Sequence, residues 1–151
     1  MPERHDDTDL ARFASLIDAW AANALDELEA LDDVQDDPIE RLWYLRMHGD
    51  DKKVITVWLR LRERTLHHET YFLPHPEENQ AEVMAYLLRA NARLYGMAFC
   101  IGDEDALYLR GQTPLDHLDE TELDRILGSC WEWSERYFLT ALHLAFASKF
   151  K

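Results

Sequence analysis

Leu10, Phe13, Ile17, Trp20, Ala24, Leu28 and Leu31 recur every three or four positions among polar residues, which puts them on one face of an amphipathic helix. The spacing predicts a helix over residues 8–31, capped by Thr8. The acidic run 32–37 and Pro38 are read as its end, because proline biases its predecessor toward extended geometry. Beyond Pro38 the period shortens to two. Residues 41–48 set Trp43, Leu45 and Met47 against Leu42, Tyr44, Arg46 and His48, and a turn follows at Gly49, Asp50 and Asp51. Residues 53–62 set Ile55, Val57, Leu59 and Leu61 against Val54, Thr56, Trp58, Arg60 and Arg62. After a turn at Glu63 and Arg64, residues 66–73 present Leu66, His68, Thr70 and Phe72 to that apolar side, so the three segments read as an antiparallel meander.

Pro74 and Pro76 stop the third strand, since proline offers no ladder donor. A helix is expected over 77–95, with Met84, Leu87, Leu88, Asn91, Leu94 and Tyr95 as its buried stripe and Gly96 as a left-handed C-cap. Residues 97–101 and 106–110, joined across 102–105, read as a second hairpin that Pro114 terminates. Asp119 with Glu122 three places later resembles a capping box. Leu123, Ile126, Leu127, Cys130, Trp131, Ser134, Tyr137, Phe138, Ala141 and Leu142 continue at helical spacing, predicting a long helix over 119–148. The expected fold is α+β: an antiparallel five-stranded sheet and three helices in the order α-β-β-β-α-β-β-α.

A chain of 151 residues suits one domain, read as an acidic N-terminal helix in 1–37 and the sheet with two helices in 41–151. The charge of -14 disfavours phosphate backbones and anionic lipid, so neither nucleic acid nor membrane is expected as a partner. That charge is uneven. Residues 1–40 carry thirteen acids against Arg4 and Arg12, while the rest carries seventeen acids against fourteen bases. Cys100 and Cys130 match no redox or zinc spacing and read as packing residues, and no basic, apolar leader opens the sequence; the expected location is cytoplasmic.

His67, His68, Glu69 and His75 form the group closest to metal or proton chemistry. Strand alternation sends His68 away from His67 and Glu69, and no HExxH is present. A metal-binding or small enzymatic domain using His67, Glu69 and His75 is therefore the alternative reading, and the expectation is no catalytic residue, no metal and no cofactor. The basic concentration at Arg41, Arg46, Arg60, Arg62 and Arg64 is more informative in so acidic a chain. With Tyr44 and Trp58 on adjacent strands, Arg46, Arg60 and Arg62 form a candidate face for an acidic peptide or for the chain's own acidic first helix. The aromatic C-terminal stretch, with Trp133, Tyr137 and Phe146, is the expected interface of a homodimer.

The blocks WYLRMHGDDKKVITVWLRLRERTLHHETYFLPHPEEN (43–79) and AYLLRANARLYGMAFCIGDEDALYLRGQTP (85–114) resemble the YbjN family in its actinobacterial form. The features carrying the resemblance are Arg64-Thr65-Leu66-His67, Glu69-Thr70-Tyr71, Pro76-Glu77-Glu78-Asn79 and Tyr95-Gly96-Met97. The resemblance implies the type III secretion chaperone-like fold and a regulatory or chaperone-like, non-catalytic protein-binding module. It carries no catalytic residues over to this chain. Secretion chaperones of similar fold are acidic homodimers that hold extended client segments, which implies a protein partner and pairing of two copies here.

Overall fold

The computed structural model describes residues 1–150. Its elements are α1 (Asp7–Glu27), β1 (Leu31–Asp37), β2 (Leu42–Met47), β3 (Ile55–Leu61), β4 (Thr65–Leu73), α2 (Gln80–Asn91), β5 (Met97–Ile101), β6 (Leu107–Pro114) and α3 (Glu120–Ala145). The six strands form one antiparallel sheet in the order β1-β2-β3-β4-β6-β5. All three helices pack on the same face. Their buried stripes join Leu45, Ile55, Val57, Leu59, Leu66 and Phe72 in one apolar cluster. Full burial of each such side chain is worth about 1.5–3 kcal/mol, so this layer dominates folding.

Three tryptophans pin helix to strand, helix to helix and helix to loop through polar bonds. The indole N–H of Trp43 donates to Asp18 at 2.7 Å, that of Trp20 to Asp124 at 2.8 Å, and that of Trp131 to the His48 carbonyl at 2.8 Å. Each bond satisfies a donor that burial would otherwise strand. The β2–β3 loop is fixed to α3 as well: Glu135 accepts from the backbone of Asp51 and of Lys52, both at 2.9 Å.

The α+β architecture and the antiparallel meander stand as expected, with corrections. The sheet has six strands rather than five, because the acidic run 31–37 is a strand and not the tail of a helix. It lies at the sheet edge, pairing Val34 with Leu45 and Asp36 with Trp43, and an edge strand tolerates aspartates because one side meets water. The region 1–37 is therefore helix followed by strand. Pro38 belongs to the β1–β2 turn, where Asp37 accepts from the backbone N–H of Ile39 and Glu40. The cap of α1 is Asp6, accepting from Asp9 N–H, rather than Thr8.

Helix α2 is shorter than expected. Its buried residues are Val83, Leu87 and Ala90, while Leu88 and Tyr95 are exposed, so the stripe is rotated from the expected one. Gly96, at φ 74°, enters β5 instead of capping the helix. Strand β6 continues through Gly111 and Gln112 to Pro114. A Cβ at Gly111 would collide with the Gly96 carbonyl, so glycine there permits close strand packing. Asp119 does cap α3, but Glu122 turns to Arg125 and Thr113 rather than back to the cap.

Candidate functional site: the open face of the sheet

With the helices on one side, strand alternation presents the other side of the same strands to solvent. Cross-strand register makes a continuous row there, running Tyr44, Trp58, Glu69, Arg110 and Ala98 across five strands. A parallel row runs Leu42, Arg60, His67 and Gln112. Tyr44 and Trp58 meet edge to face with centroids 6.4 Å apart. All of these except Ala98 and Gln112 line a hollow of about 490 Å³, to which Arg62 is added at the end of β3.

The electrostatics of this hollow oppose those of the chain. Arg60, Arg62 and Arg110 line it against the one carboxylate of Glu69. Arg110 is paired with Glu69 at 2.5 Å and lies over the Tyr108 ring at 4.5 Å. Arg60 reaches Glu40 at 3.7 Å across solvent-exposed space. Among the described residues neither Arg46 nor Arg62 has a carboxylate within ion-pair distance. Burial, and then the Arg62 guanidinium, hold the His67 imidazole below its ordinary pKa, with Glu69 opposing. Across the β3–β4 hairpin Arg60 pairs with His67 and Trp58 with Glu69.

Tyr44, Trp58, Arg46, Arg60 and Arg62 all lie on this face, as strand alternation predicts. Two members of the site were not foreseen. Arg110 and Gly111 arrive on β6, which lies between its hairpin partner β5 and the distant β4. Arg110 also brings a positive charge close to Cys100. Burial nevertheless raises the Cys100 thiol, with Arg110 opposing, and burial pushes Cys130 up to about 12; both are poor nucleophiles.

The first helix does not mask the arginine face. Its Leu10, Ile17 and Trp20 are buried in the core, on the opposite side of the sheet, which removes the autoinhibitory alternative. The His67, Glu69 and His75 group does not converge either. Glu69 is held by Arg110, and His75 sits beyond β4 bonded to Gln80. Among the described residues the group with metal-ligand spacing is Glu3, His5 and Asp116, where His5 already bridges Asp9 and Asp116.

His68 faces the core. It is 1% exposed, and among the described residues neither ring nitrogen has a hydrogen-bond partner. Desolvation lowers its pKa to about 4, with Arg125 adding to the effect. Of the residues expected at a dimer interface, Tyr137 and Phe146 are buried within a single chain, Tyr137 against the rings of Phe99 and of Tyr86 on α2. Trp133 is only partly buried.

Both sheet edges carry guards. β1 presents its aspartates, and at β5 the Asn91 amide accepts from Phe99 N–H at 2.7 Å and donates to the Phe99 carbonyl at 3.1 Å. A side chain thus takes the place of a neighbouring strand at the middle of that edge. What remains uncovered is the face. Among the described residues no helix is long and apolar enough to cross a membrane.

Comparison with known proteins gives this fold its relatives. The family model YbjN, described as "Putative bacterial sensory transduction regulator", matches residues 14–142. Uncharacterized protein Rv0487 of Mycobacterium tuberculosis is 35% identical over 104 residues, covering 69% of this chain and 57% of that protein. Uncharacterized protein ML2442 of Mycobacterium leprae is 31% identical over 104 residues, covering 69% and 56%; the match thus spans little more than half of these relatives. Among solved structures, a chain of the HopA1-SchA chaperone-effector complex superposes with TM-score 0.61 at 18% identity, covering 88% of this chain and 97% of that one. The Yersinia pestis type III secretion chaperone SycH, solved with a stable fragment of YscM2, gives 0.53 at 18% identity, covering 81% and 96%.

Proposed function

The chain belongs to the YbjN family and has the type III secretion chaperone-like fold, and from that premise we propose that it is a non-catalytic protein-binding module, chaperone-like or regulatory, which holds a segment of a protein partner on the open face of its sheet. The observation that carries the proposal is that face itself: a hollow with aromatic residues and guanidiniums on one side of a sheet whose other side is filled by all three helices. Aromatic residues beside arginine are the groups that carry most binding energy at protein interfaces. The fold neighbours lend support, since SchA stands in a chaperone-effector complex and SycH holds a YscM2 fragment. Pairing of two copies belongs to the same proposal, with Trp133 as its remaining contact residue.

The test is selection from a displayed peptide library on the full-length chain, followed by rebinding to a Trp58→Ala, Arg60→Ala variant. Selected peptides should lose binding to that variant and keep it with Leu88→Ser, on the exposed side of α2. Peptides that bind the double variant as well as the wild type would remove the sheet face from the proposal. Sedimentation of the wild type and of Trp133→Glu decides pairing: a dimer that dissociates in the variant supports it, and a wild-type monomer ends it.

A further inference from the structure

We infer that the segment held on this face is acidic and extended, with an apolar or aromatic side chain against Trp58 and carboxylates two and four residues along it, on Arg60 and Arg62. The inference rests on the sheet-face reading and adds the partner's chemistry. Trp58, Arg60 and Arg62 follow one another at every second position, so they form one column down β3 and its end. In extended backbone, same-face neighbours are spaced at roughly 6.5–7 Å. Another extended chain laid along that column presents its own alternate side chains at the same interval, which makes an apolar-x-acid-x-acid pattern the complementary one.

Charge selects acids over bases. The chain carries 30 acids against 16 bases, yet the hollow has three guanidiniums and one carboxylate. Glu69 neutralises Arg110, leaving Arg60 and Arg62 in excess. Arg62 has no carboxylate in ion-pair range among the described residues, and Arg60 keeps a loose one at 3.7 Å. The lowered pKa of His67, to which Arg62 contributes, reports the same positive field. The distant acids of the chain weaken this selection little at physiological salt, where screening acts beyond about 8 Å. A guanidinium also offers a carboxylate two parallel donors, a geometry lysine lacks.

Fluorescence titration of the full-length chain with three synthetic peptides tests the assignment: Leu-Ser-Glu-Ser-Glu, the same peptide with both Glu replaced by Ser, and the same with both replaced by Lys. The acidic peptide should bind at least about tenfold more tightly than the other two, a preference typical of charge-complementary contacts. Arg62→Glu should abolish the preference, Arg62→Lys should retain part of it, and Arg136→Glu on α3 should leave it unchanged. If the neutral or basic peptide binds equally and is lost in Trp58→Ala, the acidic chemistry is overturned while the sheet face survives. Acidic-peptide binding indifferent to both Trp58→Ala and Arg62→Glu overturns the inference and the face together. Absence of binding by all three peptides overturns the inference, and the library selection then judges the face alone.

Discussion

The two faces of the sheet are built from the same strands and obey different physics. On the helical side, Ile55, Val57, Leu59 and Leu66 are at most 1% exposed and have apolar neighbours from three helices. On the other side, Trp58, Arg60, His67 and Glu69 alternate with them and face solvent through a shallow hollow. Stability is concentrated on the first face, which leaves the second free to be spent on a partner. Substitutions that compare the faces should therefore split by side rather than by strand.

The largest effect belongs to Phe72 on the covered face. It is 1% exposed and contacts Phe99 at 4.8 Å and Phe138 at 6.3 Å between ring centroids. Phe72→Ala removes that packing and leaves a cavity, so urea unfolding should show a loss of about 3–5 kcal/mol. A loss under about 1 kcal/mol would mean that the helical layer is looser than its burial implies.

Adjacent histidines sharpen the comparison. His67 and His68 follow each other in β4 but sit on opposite faces. The core imidazole of His68 has its pKa lowered from 6.5 to about 4 by burial. As pH falls, the unfolded chain takes up this proton before the folded chain does. Stability with respect to His68 is thus full above pH 6.5 and falls until about pH 4, by roughly 3 kcal/mol. His5 and His48 act with opposite sign, because Asp9 and Asp32 raise them; their contribution is present below pH 6.5 and fades as pH rises through their folded values. Plots of stability against pH for wild type and His68→Leu should run parallel above about pH 6.5 and differ in slope between there and about pH 4, where the decline should be much reduced in the variant. An unchanged decline would place the titrating group elsewhere.

The boundary between the faces is the sheet edge, and Asn91 tests it. Asn91→Ala deletes both bonds to Phe99, at an expected cost of about 1–3 kcal/mol. It also uncovers an edge beside exposed Leu88 and Ile101, so sedimentation should show concentration-dependent association through β5. A stable variant with unchanged mass would show that this edge needs no guard.

Legibility in the sequence followed the same division. Alternation in β2, β3 and β4 revealed both faces, because burial on one side leaves a period of two wherever the strand is half covered. The acidic β1 escaped it: aspartate is depleted in strands in general, and Leu28 and Leu31 extended the helical period past its true end at Glu27. Tyr44, Trp58, Arg60 and Arg62 were visible from local alternation. Arg110 was not, since its place beside Glu69 depends on β6 lying between β4 and β5. Asn91 was read as a stripe residue, and its bonds to Phe99 form through a tertiary approach that leaves no periodic trace.

The smallest expected effect is Arg62→Ala on the open face, and its smallness is the point. Arg62 is exposed; its backbone N–H donates to the Thr65 carbonyl at 2.9 Å, but among the described residues its guanidinium has neither an ion pair nor a hydrogen bond. Its removal relieves repulsion from Arg60 and Arg110 nearby, while making the net charge of the chain one unit more negative. These effects oppose each other, and surface charges of this kind rarely move stability by more than about 0.5 kcal/mol. Urea unfolding of Arg62→Ala should coincide with the wild type within that margin, even as binding of the acidic peptide falls. A stability loss above about 1 kcal/mol would show Arg62 supporting the fold, and the division of labour between the two faces would fail at the residue where it is sharpest.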